Sequence, residues 1–285
     1  MIIGGGVAGL AAAIKLAKAN CEVILIEAQN RLGGRIFTIQ SGETPIELVA
    51  EFVHGGNEEL WKVIREAKLE TVQVPNHFQL FQNNDFYQMN LWQEMERLME
   101  KIEANAPDKS FAEFLTEQNI SDSTKRLATN FIEGFDAADT NKIGIHALAV
   151  ADEDGEGDPG EHQFRIRRGY AALVEFLEQR AKSLGVKFEM DTVAAAIRWK
   201  SGSVKVIAEQ NSREIIFDGD AVIITVSLGV LKSNKIKFQP PLPEKENAIA
   251  ELKFGNVVKV ILKFKSTFWL KRDFGFNKTA CDKFY

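Results

Sequence analysis

Glycines at positions 4, 6 and 9 of MIIGGGVAGL form the pattern G-x-G-x-x-G, with a short apolar run before them and an alanine- and leucine-rich stretch after them. Between a strand and a helix each glycine has a mechanical role. Gly4 permits the tight turn, Gly6 lets the backbone approach a pyrophosphate, and Gly9 lets helix and strand pack closely. The helix that follows would point free N–H groups and the positive end of its dipole at the phosphates. Alone, the pattern fits a structural glycine turn as well as a nucleotide site. Glu27 shifts the balance, because it ends VILIE about twenty residues downstream, where a carboxylate can accept hydrogen bonds from ribose hydroxyls. NAD and FAD are both open on these residues.

A second candidate phosphate clamp is RLGGRIFT, residues 31–38. The adjacent Gly33 and Gly34 let the chain run tightly beside a ligand, and Arg35 can form charge-assisted bonds to a pyrophosphate. Further along, Lys259 stands in FGNVVKVILKF among Val257, Val258, Val260, Ile261 and Leu262. It reads either as a buried cation with a pKa lowered by desolvation, or as the polar face of an alternating strand with Lys263. His77, His146 and His162 show no metal spacing. Asp152, Asp154, Glu156 and Gly157 mimic part of a calcium loop, but Gln163 stands where the bidentate glutamate belongs and Pro159 falls inside, so no metal site is expected.

These groups require a βαβ opening: a strand at 1–3, a helix over 10–19, and a strand ending at Glu27. Helical spacing recurs over 91–103, 111–118 and 125–135, the Met and Trp stripe of the first reading as core packing. The acidic, glycine-containing stretch 151–161 marks a loop. A helix over 171–183 and strands near 186–190, 193–199, 204–208, 214–217 and 221–226 then restore the α/β pattern. The expected fold class is α/β, a discontinuous Rossmann-like domain interleaved with an α+β substrate domain. Its parts are 1–75 and 163–254 for the dinucleotide domain, 76–162 for the helical part of the substrate domain, and 255–285 for the start of a second substrate segment.

The chain has 285 residues, 26% charged and 45% hydrophobic, and a formal charge of −5. That balance argues against a general nucleic-acid surface. No run reaches the length of about 18 apolar residues that a membrane span needs. Cys21 and Cys281 lie far apart with no CxxC, so a reducing, cytoplasmic compartment is expected.

EAQNRLGGR resembles the motif after the second strand of the flavin-containing amine oxidase superfamily, which includes monoamine oxidases, polyamine oxidases and lysine-specific histone demethylases. IELVAEFVHGG, RRGYAALVEFL, DTVAAAIRW, AVIITVSLGVLK and FQPPLPEKENAIAELKFGNVVKVILKF follow in family order. The resemblance implies FAD as cofactor, an amine as substrate and O₂ as acceptor, with hydride transfer to flavin N5 and release of H₂O₂. It implies that Glu51 and Phe52 pass along the flavin, that Val193 meets the adenine, and that Lys259 holds a water at the active site. His54 would stand beside the substrate path, tilting the reading towards polyamines, though it also fits a hydrogen-bonded histidine before a Gly-Gly turn. Two alternatives remain: a desaturase or protoporphyrinogen-oxidase type of flavoprotein, and an inert nucleotide-binding module.

The sequence departs from the family at Gln29, usually arginine, at Ser227, usually proline, and at Val49, usually glycine, where a β-branched residue would be strained at positive φ. The abrupt start and the missing family segments after Tyr285 lead us to expect a fragment, roughly two-thirds of an amine oxidase, that folds poorly or binds FAD weakly.

Overall fold

The computed structural model describes residues 1–74, 78–82, 85–89, 91–103, 105–153 and 162–266. The chain divides into two compact units, one of residues 1–51, 63–70 and 167–253, the other of residues 52–62, 71–166 and the described residues from 254 onward.

The first unit is built on a parallel sheet in the order Lys187–Glu189, Ile24–Ile26, Ile2–Ile3, Ile223–Ile224. Parallel neighbours need crossovers. The helix Val7–Lys18 joins the strands at 2–3 and 24–26, and lies beside the helix Ala171–Ser183, which leads to the strand at 187–189. Leu10, Ala13 and Ile14 give the first helix its buried stripe, and lysines 15 and 18 complement its C-terminal end. Because side chains alternate along a strand, Ile3 and Ile26 face one side of the sheet and Ile2 and Leu25 the other. Ile3 and Ile26 join a core with Ala194, Ile197, Val204, Val206 and Ile236.

Most of that core comes from an antiparallel meander of Thr192–Lys200, Ser203–Gln210 and Arg213–Gly219, with Lys237–Gln239 added parallel to its first strand. Asn211 and Ser212, both at positive φ, form a two-residue hairpin turn whose twist suits the strands. The layers are those of a Rossmann-like domain. The hairpin Thr38–Ser41 with Thr44–Glu47 has no counterpart in the sequence reading, because polar residues and a proline hide its alternation.

In the second unit, helices Leu91–Met99, Phe111–Glu117, Asp122–Phe135 and Ile145–Glu153 bury Met95, Leu98, Phe111, Phe114, Leu115, Ala128, Ile132, Ile145 and Leu148 in one cluster. The methionine stripe is therefore core. Ser110 and Glu113 form a reciprocal capping box, and Ser121 caps the next helix. A small sheet pairs Val53–His54 and Thr71–Val74 with Gln163–Ile166, and a hairpin joins Phe78–Gln82 to Asp85–Met89. His77, Cys281 and residues 154–161 of the acidic stretch lie outside the described residues.

Two expectations need correction. Residues 254–264, read as a strand around Lys259, form none, and Lys259 is exposed, so the buried-cation reading of that segment does not hold. A strand needs a neighbour to receive its N–H groups, and among the described residues none pairs with this segment. Val49 is not among the residues at positive φ, so the expected strain is absent.

Leu25 is fully buried, so Leu25→Ala should destabilise the first unit by about 2–5 kcal/mol in denaturant unfolding. Glu113 is held below its ordinary pKa of 4.5, chiefly by the Ser110 hydroxyl and then by the Ser110 N–H. A carboxyl with a lowered folded-state pKa contributes stability above its unfolded value, and loses it as pH falls through the folded one. The difference in Tm between wild type and Glu113→Gln should therefore shrink as the pH is lowered below about 4.5; a constant difference would contradict this origin.

Candidate nucleotide and cofactor site

The parallel ladder between residues 2–3 and 24–26 continues into the glycine turn. Gly4 N–H donates to the Ile26 carbonyl at 2.9 Å, and Gly5 N–H donates to Glu27 Oε2 at 2.6 Å. The other carboxylate oxygen accepts the Gln29 N–H at 2.9 Å. Glu27 is only 9% exposed, and each oxygen retains a lone pair for a ribose hydroxyl.

The glycines differ in what demands them. A Cβ on Gly9 would lie 1.9 Å from the Gly4 oxygen, so the protein's own packing forbids a side chain there. At Gly6 a Cβ would meet nothing within 4 Å, and φ −73° with ψ 177° suits any residue. Neither strain nor internal packing requires glycine at position 6. The open face of Gly6 leaves room for an external group lying against the helix start. Val7–Lys18 has no side-chain cap; Gly6 forms a parallel bridge with Gly33, and the N–H groups of Gly6, Ala8 and Gly9 have no acceptor among the described residues. A pyrophosphate fits both observations.

The 31–37 loop closes against this turn. Gly33 N–H donates to the Gly5 carbonyl at 2.8 Å, and a Cβ on Gly34 would stand 3.4 Å from Gly6 Cα. Arg35 follows directly and is exposed. On the other side Thr225 Oγ1 lies 3.0 Å from the carbonyl oxygens of both Ile3 and Gly4. Val193 is 47% exposed and follows Thr192, whose N–H donates to the Glu27 carbonyl at 2.9 Å. The turn, Glu27, Gly33, Gly34 and Val193 are therefore tied together within one unit.

Thr225 and Arg31 carry contacts that sequence reasoning missed. Thr225 carries no signal inside AVIITV, whereas Arg31 lies in RLGGR, where the phosphate reading falls on Arg35 instead. Glu47 was missed as well: its carboxylate accepts the Tyr170 N–H and the Thr38 hydroxyl, both at 2.7 Å, and Thr38 Oγ1 accepts the Ala171 N–H at 3.0 Å. These residues satisfy the start of the helix 171–183. Burial, then the Glu47 charge, raises the pKa of the Tyr170 hydroxyl.

Glu51 is half-buried in an irregular stretch of the first unit. The remaining predicted residues belong to the second unit. There the His54 ring stands edge-on to Phe52 at 5.8 Å and to Phe135 at 5.7 Å, and the Arg165 guanidinium lies over Phe52 at 5.0 Å. Lys259 is in the exposed segment described above.

The profile of the flavin containing amine oxidoreductase family matches residues 7–284. The chain belongs to this family. It is 31% identical to polyamine oxidase 3 of Oryza sativa subsp. japonica, over 96% of this chain and 61% of that protein. Against polyamine oxidase 2 of Arabidopsis thaliana it is 32% identical, over 96% and 60% respectively. The chain thus spans about three-fifths of the length of these curated relatives. Cyclohexylamine oxidase from Brevibacterium oxydans superposes with a TM-score of 0.71 at 20% identity, covering 87% of this chain and 62% of that one. A redesigned putrescine oxidase gives 0.70 at 20% identity, covering 89% and 63%. These structures share the fold. No helix among the described residues is long and apolar enough to cross a membrane.

The two glycine positions should separate experimentally. Gly9→Ala should lower Tm sharply, whereas Gly6→Ala should leave stability within about 1 kcal/mol of wild type. Equal losses in thermal unfolding would show that Gly6 is a packing residue.

Proposed function

We propose that this chain binds FAD on its first unit and that the protein oxidises an amine, with a polyamine favoured. The observation that carries the reading is the open side of Gly6 beside uncapped helix N–H groups. In this reading Gly4, Gly6 and Gly9 shape the turn and Glu27 binds the ribose. Gly33, Gly34 and Arg35 meet the pyrophosphate, and Val193 meets the adenine. Glu51 and Phe52 run beside the flavin. His54 stands on the substrate side, and Lys259 holds a water at the reacting centre.

When bound, FAD supplies the hydride acceptor for the amine α-carbon, and O₂ takes the electrons on to H₂O₂. The protein's part is to orient the cofactor, to exclude water, and to keep the amine neutral by surrounding it with apolar groups. Relatives named polyamine oxidase support the substrate class. A reducing, cytoplasmic setting completes the proposal, in keeping with the exposed free thiol of Cys21.

Anaerobic addition of spermine to the FAD-loaded protein should bleach the flavin absorbance. Lys259→Met should slow the bleaching by roughly tenfold or more without changing FAD affinity. The exposure of Lys259 favours a second reading, in which the chain holds the nucleotide without oxidising amines. A yellow protein that no amine bleaches would establish that second reading and reject the first.

A further inference from the structure

We infer that Arg31 is the positioning residue that sets the phosphate-facing side of the 31–37 loop, an inference that rests on the cofactor reading above. Its guanidinium is turned into the loop. Nη1 donates to the Ile36 carbonyl at 3.1 Å and, more weakly, to the Leu32 carbonyl at 3.4 Å, while Nη2 donates to the Gly34 carbonyl at 2.9 Å. The Phe37 ring covers the same group, its centroid 4.2 Å from Cζ. A planar fork of five donors can collect several carbonyl oxygens at once; an ammonium cannot reproduce that arrangement.

The consequence follows from peptide geometry. In a trans peptide the carbonyl of one residue and the N–H of the next point in opposite directions. Gathering the Leu32 and Gly34 oxygens on one side of the loop therefore fixes the N–H groups of Gly33 and Arg35 on the other. Gly33 N–H is the one that reaches the Gly5 carbonyl at 2.8 Å, which places that other side against the glycine turn. The N–H groups of Gly34 and Arg35 have no acceptor among the described residues, and Gly34 itself stands against Gly6, so both remain as donors on a loop that meets the glycine turn. Successive backbone donors of this kind form an anion-binding concavity. Arg31 thus acts on the pyrophosphate without touching it, by holding the loop that does.

The inference separates two parts of the ligand. Adenosine is met by Glu27 and Val193, outside the 31–37 loop, whereas the two phosphates depend on it. NMR titration of the chain with adenosine and with ADP, at one salt concentration, tests the difference in wild type, Arg31→Lys and Arg31→Gln. Loss of Arg31 should weaken ADP by roughly tenfold in the lysine variant and less in the glutamine variant, which keeps an N–H donor pair, while adenosine affinity stays unchanged. The adenosine result also reports that each variant is folded. If both ligands weaken together, or if neither does, Arg31 has no positioning role. If the wild-type chain binds neither ligand, the cofactor reading itself fails, and this inference with it.

Discussion

The site depends on one hydrogen bond, from Gly5 N–H to the Glu27 carboxylate at 2.6 Å. The strand before the turn has only two residues in its ladder, and the Glu27 side chain continues the pairing where the backbone stops. A carboxylate this far removed from water needs partners, and the Gly5 and Gln29 amides supply them. A charge-assisted bond of this kind contributes about 1.5–3 kcal/mol, enough to fix a glycine-rich turn that has little stiffness of its own. With the turn fixed, Gly9 seats under the Gly4 carbonyl and the helix begins with its first amides directed outward.

Three segments remote in sequence converge on that turn. The strand at 2–3 lies between those at 24–26 and 223–224, so the chain leaves it towards one neighbour and returns later beside the other. In open parallel sheets the crevice at such a switch point, beyond the carboxyl ends of the strands, is where ligands bind. Glu27 and the 31–37 loop approach from one side and Thr225 from the other, and no segment alone would make the cradle. Because the meander buries Ile3 and Ile26 from the opposite layer, the floor of the crevice is part of the core rather than a surface loop.

What the sequence made legible follows from how local each signal is. The βαβ opening and the helix 171–183 are specified by spacing within single segments, and the structure forms both, with Glu27 directly after the strand 24–26. The methionine stripe at 91–99 was readable as core for the same reason. Thr225 and Glu47 were not readable, since their partners are far away in sequence and their types are ordinary. The strand expected around Lys259 had the right alternation, but alternation describes a strand's faces and not its edges. Without a described neighbour on either edge, the segment stays irregular. Arg31 differs again: its motif is local and visible, but its guanidinium bonds to carbonyls of its own loop, a contact that motif spacing does not encode.

The central claim is that the grip on the cofactor lies at its pyrophosphate and adenosine end, in a pre-formed cradle of backbone amides. Isothermal titration of the ligand-free chain with FAD and with riboflavin, which lacks that end, tests it most directly. Saturable one-to-one binding of FAD with no measurable binding of riboflavin is the predicted result. Equal affinity for the two would contradict it.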